Sequence, residues 1–334
     1  MKQFNLFLFI TSLSIYLISC EGYDAQTLAH LGDSCSSAEN YVEAIQWYVK
    51  AADKGNAKAA NMIGIIYDNG NGVDEDDTEA VKWYNKAIEM GDTTALSNLA
   101  YCYLYGDGVD YNTNKALELF KKAASLNYPD AYYSLGTLYY DGDYVDLDKE
   151  KALDYFIKGA NINCHKCANM AGYMFKNSEG CIADQQKALK YFTQSADLGN
   201  LDATNQLGIM YKYGNGTNVD YSKAIEYFKI GADNGYDIAQ VNLGRMYKYG
   251  LGVEKDFSIA ASWYQKAADK GNAGALYFLG VAYYNGEGVP LDRTVAYKFI
   301  EQAANKGLEF AKSTINNWDR ITKLDEENCR YKRF

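Results

Sequence analysis

Proline is almost missing from this sequence, with two in 334 residues. Little therefore interrupts helices, because proline is the residue that removes a helical N–H and clashes with the preceding turn. Histidine is equally scarce. His30 and His165 stand far apart, so no His-x-x-x-His zinc pair exists. There is no Gly-Lys dipeptide, which a P-loop needs, and no Ser-x-x-Lys, which a serine β-lactamase needs. Long runs of like charge are missing too, the longest being the four acids Asp74 to Asp77. The net charge is −10 and the pI is near 4.9, a balance that repels phosphate backbones and argues against nucleic acid as a partner.

After the N-terminus no stretch is apolar enough to span a bilayer. At the N-terminus, Lys2 precedes a mostly apolar run from Phe4 to Ile18. That run is shorter than the roughly 20 residues of a membrane helix and reads as the core of a signal peptide, residues 1–20. Leu17-Ile18-Ser19-Cys20 resembles a bacterial lipobox, in which Cys20 would carry lipid and supply the one route to membrane attachment. The alternative is ordinary signal-peptidase cleavage near Cys20 to Gly22. Either way the expectation is export: periplasmic or lipid-anchored in a bacterium, endoplasmic-reticulum lumen or extracellular in a eukaryote. Seven cysteines are too few for a dense disulfide scaffold, and lipidation of Cys20 would leave an even six.

What the chain does have is repetition. "LGIMYKYGNG" (207–216) returns as "LGRMYKYGLG" (243–252), 36 residues later. The glycine of this pattern falls at Gly64, Gly136, Gly172, Gly208, Gly244 and Gly280, with Ala100 in the remaining place. A small residue stands five before it (Ala59, Ala95, Ala131, Cys167, Ala203, Ala239, Ala275), an apolar one just before it, and Tyr or Phe three after it. Those offsets share one side of a helix, called helix A. A second helix, B, follows in each unit around Ala44, Ala80, Ala116, Ala152, Ala188, Ala224, Ala260 and Ala296, each trailed by an aromatic or apolar pair such as Trp83-Tyr84 or Tyr227-Phe228.

Helix B is punctuated at both ends. Four residues before each alanine stands Asn40, Asp76, Asn112, Asp148, Asp184, Asp220, Asp256 or Asp292, the residue types that cap helix N-termini. Eleven after it stands Gly55, Gly91, Asn127, Asn163, Gly199, Gly235, Gly271 or Gly307, the types that tolerate the left-handed ending. Such a helix pair cannot bury its apolar face alone, so neighbours must stack. The fold expected is an all-α, right-handed α-solenoid over residues 25–310, with eight repeats of about 36 residues, then a capping helix and polar tail over 311–334. The first unit lacks the Gly-x-Gly loop that five of the others place between helices A and B.

The motif A-x-x-x-L-G-x-x-Y-x-x-G-x-G-V followed by K-A-x-x-W/Y-Y/F-x-K-A-A-x-x-G is similar to the Sel-1-like repeat of the tetratricopeptide-like superfamily. "AGALYFLGVAYYNGEGVPLD" (273–292) and "SWYQKAADKGNA" (262–273) carry it most fully. The resemblance implies a protein-binding adaptor. One branch, the cysteine-rich Helicobacter proteins, is linked to β-lactam binding and hydrolysis and is marked by a cysteine pair bridging each helix B to the next helix A. Ala52 and Ala60 stand where such a pair would sit, which weakens that alternative. A cell-envelope binding module is a further alternative.

The Gly-x-Gly loops lack the third glycine and the preceding strand of a dinucleotide site, and five copies argue for geometry rather than a ligand. One cluster, Cys164-His165-Lys166-Cys167 with Cys181, resembles a metal site. A helix of about 15 Å separates Cys167 from Cys181, so they cannot close on one ion. These cysteines are expected to be buried or locally disulfide-bonded, and no metal or cofactor is expected. No catalytic residue is assigned.

The functional candidate is therefore a surface. Helix A offsets −3, +1 and +4 face away from the core stripe, and in such solenoids line the concave groove. They include Ser97, Tyr101 and Leu104, then Tyr133, Thr137 and Tyr140, then Asn169, Tyr173 and Lys176. They continue with Asn205, Ile209 and Lys212, with Val241, Arg245 and Lys248, and with Tyr277, Val281 and Tyr284. Tyrosine and arginine are common anchors of protein recognition. Lys176, Lys212, Arg245 and Lys248 form a basic stripe suited to an acidic peptide. The reading is an exported, non-enzymatic scaffold that binds a protein or peptide along this face.

Overall fold

Asp and Asn side chains start helices here because their oxygens accept from N–H groups that the first turn leaves unpaired. In a computed structural model describing residues 22–318 and 320, this happens at the start of seven of the eight B helices. Asp148, for example, accepts from the Lys151 amide at 2.9 Å. Asn40 is the exception. Its side chain makes no cap and instead donates to the Glu43 carboxylate at 2.7 Å. The segment expected to be a signal peptide, Cys20 and the end of the polar tail lie outside the described residues.

The chain divides between Ile162 and Asn163 into two units. The first holds α1 (Ala25–Ser37), α2 (Tyr41–Asp53), α3 (Ala57–Asp68), α4 (Asp77–Glu89), α5 (Thr93–Tyr105), α6 (Thr113–Ser125), α7 (Pro129–Asp141) and α8 (Lys149–Asn161). The second holds α9 (His165–Asn177), α10 (Gln185–Asp197), α11 (Leu201–Tyr213), α12 (Tyr221–Asp233), α13 (Asp237–Tyr249), α14 (Phe257–Asp269), α15 (Ala273–Asn285), α16 (Arg293–Asn305) and α17 (Glu309–Asn316). Among the described residues all elements are helices, and each unit is a stack of antiparallel A–B pairs, an all-α solenoid architecture.

Small residues set the closeness of each pair. The B-helix alanines Ala44 to Ala296 are buried, and the helix A glycine lies flat against the second residue of the B-helix pair, an aromatic ring except at Gly280, which meets Ile300. A Cβ on Gly64 would stand 2.5 Å from the Tyr84 ring, and one on Gly208 equally close to Phe228. The aromatic three residues on stacks over the first ring of the B pair. Tyr211 lies 5.6 Å from Tyr227 at 9° and Phe175 lies 5.6 Å from Tyr191 at 3°. A lysine from the first turn of helix B covers these rings: Lys223 over Tyr211 at 5.0 Å, Lys187 over Phe175 at 5.0 Å.

The eight predicted helix-B stops all have positive φ, from 59° at Asn127 to 96° at Gly91. The residue after the stop then caps the next A helix at Asn56, Asp92, Asn200 and Asn272. At Cys164 a sulfur takes that role, accepting from the Cys167 amide at 3.2 Å.

The second glycine of the Gly-x-Gly loop has a specific task. At Gly216, φ is 70° and an added Cβ would overlap the carbonyl oxygen of Gln185, in the first turn of the preceding B helix. The loop of one repeat thus docks directly on the backbone of the repeat before it, at the place a side chain would need. Two loops depart from the pattern. Ser178 takes the left-handed conformation in place of glycine (φ 63°), and Tyr144 replaces the second glycine after α7. Beyond Gly307, α17 buries Ala311 against α16, and Phe310 meets Tyr277 edge-on at 4.6 Å.

Candidate binding surface

Helix A positions on the predicted face are only partly free, because within each unit consecutive A helices lie side by side. Leu104, placed on that face by its spacing, is buried at 1 % exposure, and Ser97 and Asn205 are buried as well. The apolar stripe is wider than a two-helix contact would make it, since each A helix has neighbours on both flanks.

In the first unit the candidates Tyr101 and Tyr133 come together and Tyr140 stands apart. Tyr101 is 37 % exposed. Its hydroxyl shares a 2.7 Å hydrogen bond with Ser134 Oγ on α7, and its ring meets Phe120 edge-on at 5.0 Å. The ring also stacks on Tyr105 at 5.9 Å, and Tyr105 meets Tyr144 edge-on at 5.9 Å. Tyr133 leans on Phe156, and Tyr140 lies under the Lys149 ammonium at 4.7 Å.

Two clefts open against the Tyr101–Tyr105 wall. One, of about 290 Å³, is lined by Tyr133, Ser134, Thr137, Asp141, Asp143 and Tyr144. The other, of about 370 Å³, is lined by Asp68, Glu75, Asp77, Asn98, Cys102 and Asp107. Burial pushes the Asp68 carboxyl above the usual carboxylate range; the Tyr84 hydroxyl, donating at 3.1 Å, pulls it back, and Asp77, Asp107 and Glu75 add to the rise. Burial drives the Cys102 thiol up to about 12.

In the second unit Tyr173 and Lys176 belong to a hydrogen-bonded network between α9 and α11. Asp202 accepts from Asn169 Nδ2 at 3.0 Å, from the Tyr173 hydroxyl at 2.9 Å and from the Tyr236 hydroxyl at 3.1 Å. Gln206 donates to the Tyr173 hydroxyl at 2.7 Å and accepts from Lys176 Nζ at 2.8 Å. Burial holds the Lys176 ammonium below its ordinary pKa, with the Asp202 charge opposing.

The predicted basic stripe is thus largely engaged within the protein. Lys248 pairs with Glu287 at 2.9 Å, with both side chains mostly shielded. Arg245 lies over the Phe278 ring at 5.8 Å and Lys212 over Tyr213 at 4.9 Å. Tyr277 is held between Phe278 and Phe310, and Tyr284 meets Trp318 edge-on at 5.4 Å with Arg293 above it.

The cysteine cluster separates into three local roles. Cys167 is fully buried in the alanine position, Cys164 caps α9, and Cys181 turns its sulfur toward the Met174 carbonyl at 3.7 Å. Among the described residues no three His, Cys, Asp or Glu side chains are grouped to hold a metal ion.

Sequence reasoning missed Tyr105, Tyr144 and the carboxylates beside them. Tyr105 sits one residue past the predicted face, a position filled again by the exposed Tyr213 and Tyr249. Tyr144 carried its own signal, an aromatic residue where the loops elsewhere place glycine.

The model of the Sel1 repeat matches eight times in tandem, at residues 29–56, 57–92, 93–128, 129–164, 165–200, 201–236, 237–272 and 273–308. The chain belongs to the Sel1 repeat family. The first match begins inside α1, each of the other seven begins at the first residue of a helix A, and α17 follows the eighth.

Solved Sel1 structures resemble it along nearly its whole length. A Sel1 repeat protein from Oxalobacter formigenes is 28 % identical with a TM-score of 0.70, over 92 % of this chain and 91 % of that one. A protective antigen present in uropathogenic Escherichia coli strains, displaying an SLR fold, is 29 % identical with a TM-score of 0.71. That match covers 91 % of this chain, which spans 66 % of the antigen. No curated protein matches the chain.

Proposed function

We propose that this Sel1 repeat protein is an exported, non-enzymatic scaffold that holds a protein or peptide against the helix A faces of its two units. One observation carries the reading. The core positions repeat from unit to unit, whereas the helix A face changes, from tyrosine and carboxylate around Tyr101 to lysine and arginine around Lys212 and Arg245. A stack needs its core to repeat, and it needs nothing of the kind from its solvent face. Large, rigid tyrosine side chains lose little conformational freedom on binding, which suits them to recognition. The N-terminal segment 1–20 supports export, with attachment through Cys20 as its lipid-linked form.

The reading is tested by substituting face residues that lie outside the buried core. Tyr105→Ala in the first unit and Lys212→Glu in the second should lower capture of the native partner without lowering the melting temperature. Unchanged capture by both variants removes the proposal.

A further inference from the structure

The carboxylates of the first unit are unusual in having no cation among the residues that line their cleft. Asp68 closes α3, Glu75 follows in the loop, Asp77 opens α4 and Asp107 follows α5, so four acidic side chains from two consecutive repeats line one opening. Asp141 and Asp143 line the adjoining one. Among the described residues no lysine or arginine lines either cleft. Elsewhere in the chain several acidic side chains pair with a lysine: Asp53 with Lys86, Asp154 with Lys158 and Glu287 with Lys248.

Two further observations point to a ligand. The wall between the clefts is aromatic and open: Tyr105 is 55 % exposed, and Tyr101 and Tyr144 are each 37 % exposed. The face of a tyrosine ring attracts a cation, and more strongly once water is displaced. In the adjoining cleft the Thr137 hydroxyl oxygen is shielded from solvent and has no hydrogen-bond partner among the described residues. A shielded polar atom without a partner costs stability unless something meets it.

We infer that these paired clefts are the docking site for the arginine or lysine side chains of a basic, extended segment in a protein partner. The inference rests on the scaffold reading and names the chemistry of the partner on the first unit. A guanidinium laid against Tyr101 and Tyr105 would stack on an aromatic face while meeting the Asp77 and Asp107 carboxylates. Its arrival would also relieve the mutual repulsion of the four acids. An acidic peptide or a phosphate backbone meets only repulsion here, and the carboxylates do not converge as a metal site does.

The test uses the full chain and a fluorescent Gly-Ser-Arg-Ser-Arg-Ser-Gly peptide, with a control peptide carrying citrulline in place of both arginines. Citrulline keeps the shape and removes the charge. The arginine peptide should bind saturably, at least about tenfold tighter than the control, and the difference should shrink as salt rises. Asp77→Asn with Asp107→Asn should erase most of that preference, and Tyr105→Ala should weaken it. Lys121→Ala, on an exposed helix B position away from that face, should leave it intact. Equal binding of the two peptides overturns the inference, as does full affinity in the Asp77→Asn, Asp107→Asn variant when circular dichroism shows it folded. If the arginine peptide does not bind while partner capture still depends on the helix A face, the inference falls and the scaffold reading stands. If the face variants alter neither, both fall.

Discussion

The docking of one repeat on the next can be measured with a pair of glycine substitutions in the second unit. Gly199 and Gly216 both have left-handed φ, 87° and 70°. A Cβ at Gly199 meets nothing within 4 Å, whereas one at Gly216 overlaps the Gln185 carbonyl oxygen. Gly199→Ala therefore measures conformation alone, about 1–2 kcal/mol for a left-handed L-residue. Roughly 0.4–1 kcal/mol of that is offset by the stiffer unfolded chain. Gly216→Ala carries the same terms plus a collision between backbones, which no rotamer change relieves. Overpacking of that kind adds about 1–3 kcal/mol. The expected order is a loss of at most about 1.6 kcal/mol at Gly199 and one larger by about 1–3 kcal/mol at Gly216.

Urea unfolding gives the comparison, read only where the slope is unchanged. Because stacked repeats can unfold piecemeal, amide exchange in the first turn of α10 provides a local reading. That turn should lose protection in Gly216→Ala and keep it in Gly199→Ala. Equal destabilisation by the two variants would refute the claim that the loop glycine is there for close backbone approach.

Two other expectations follow from the first unit. With a pKa of about 12, the Cys102 thiol is ionised in about one molecule in ten thousand at pH 8, and it is buried. Iodoacetamide followed by mass spectrometry should label the half-exposed Cys181 long before Cys102, and equal rates would contradict the buried placement. The raised pKa of Asp68 means that its stabilising, protonated form prevails below its unfolded value of 3.8 and is lost as pH rises through the higher folded value. Asp68→Asn keeps an acceptor for Tyr84 and removes the charge. The variant should melt above the parent at pH 7, with the gap closing toward pH 3.8; a lower melting temperature at pH 7 would refute this.

Much of the fold was legible in the sequence because it is written in local chemistry. Asp220 caps and Gly235 stops helix α12 through bonds within a few residues, and the same letters recur every repeat. Asn40 shows the limit: the right residue stands in the right place, yet Glu43 three residues on captures its side chain. What the spacing could not give was lateral distance between repeats. Leu104 looked exposed on a helical wheel, and the flanking A helices bury it. The stripe of Lys176, Lys212, Arg245 and Lys248 looked free, and Gln206 and Glu287, about a repeat away, engage two of its members. The acidic cleft was invisible for the same reason, since Asp68, Tyr105 and Tyr144 belong to three successive repeats.

The central claim, that the helix A faces bind a protein, is tested most directly by site-specific photocrosslinking in the native cell. A photoreactive phenylalanine at Tyr105 or Lys212 should trap one defined protein, and the same residue at Lys121, an exposed helix B position, should not. The trapped band should disappear when Asp77→Asn and Asp107→Asn are added to the Tyr105 probe. Equal crosslinking from Lys121, or none from either helix A position, would contradict the account.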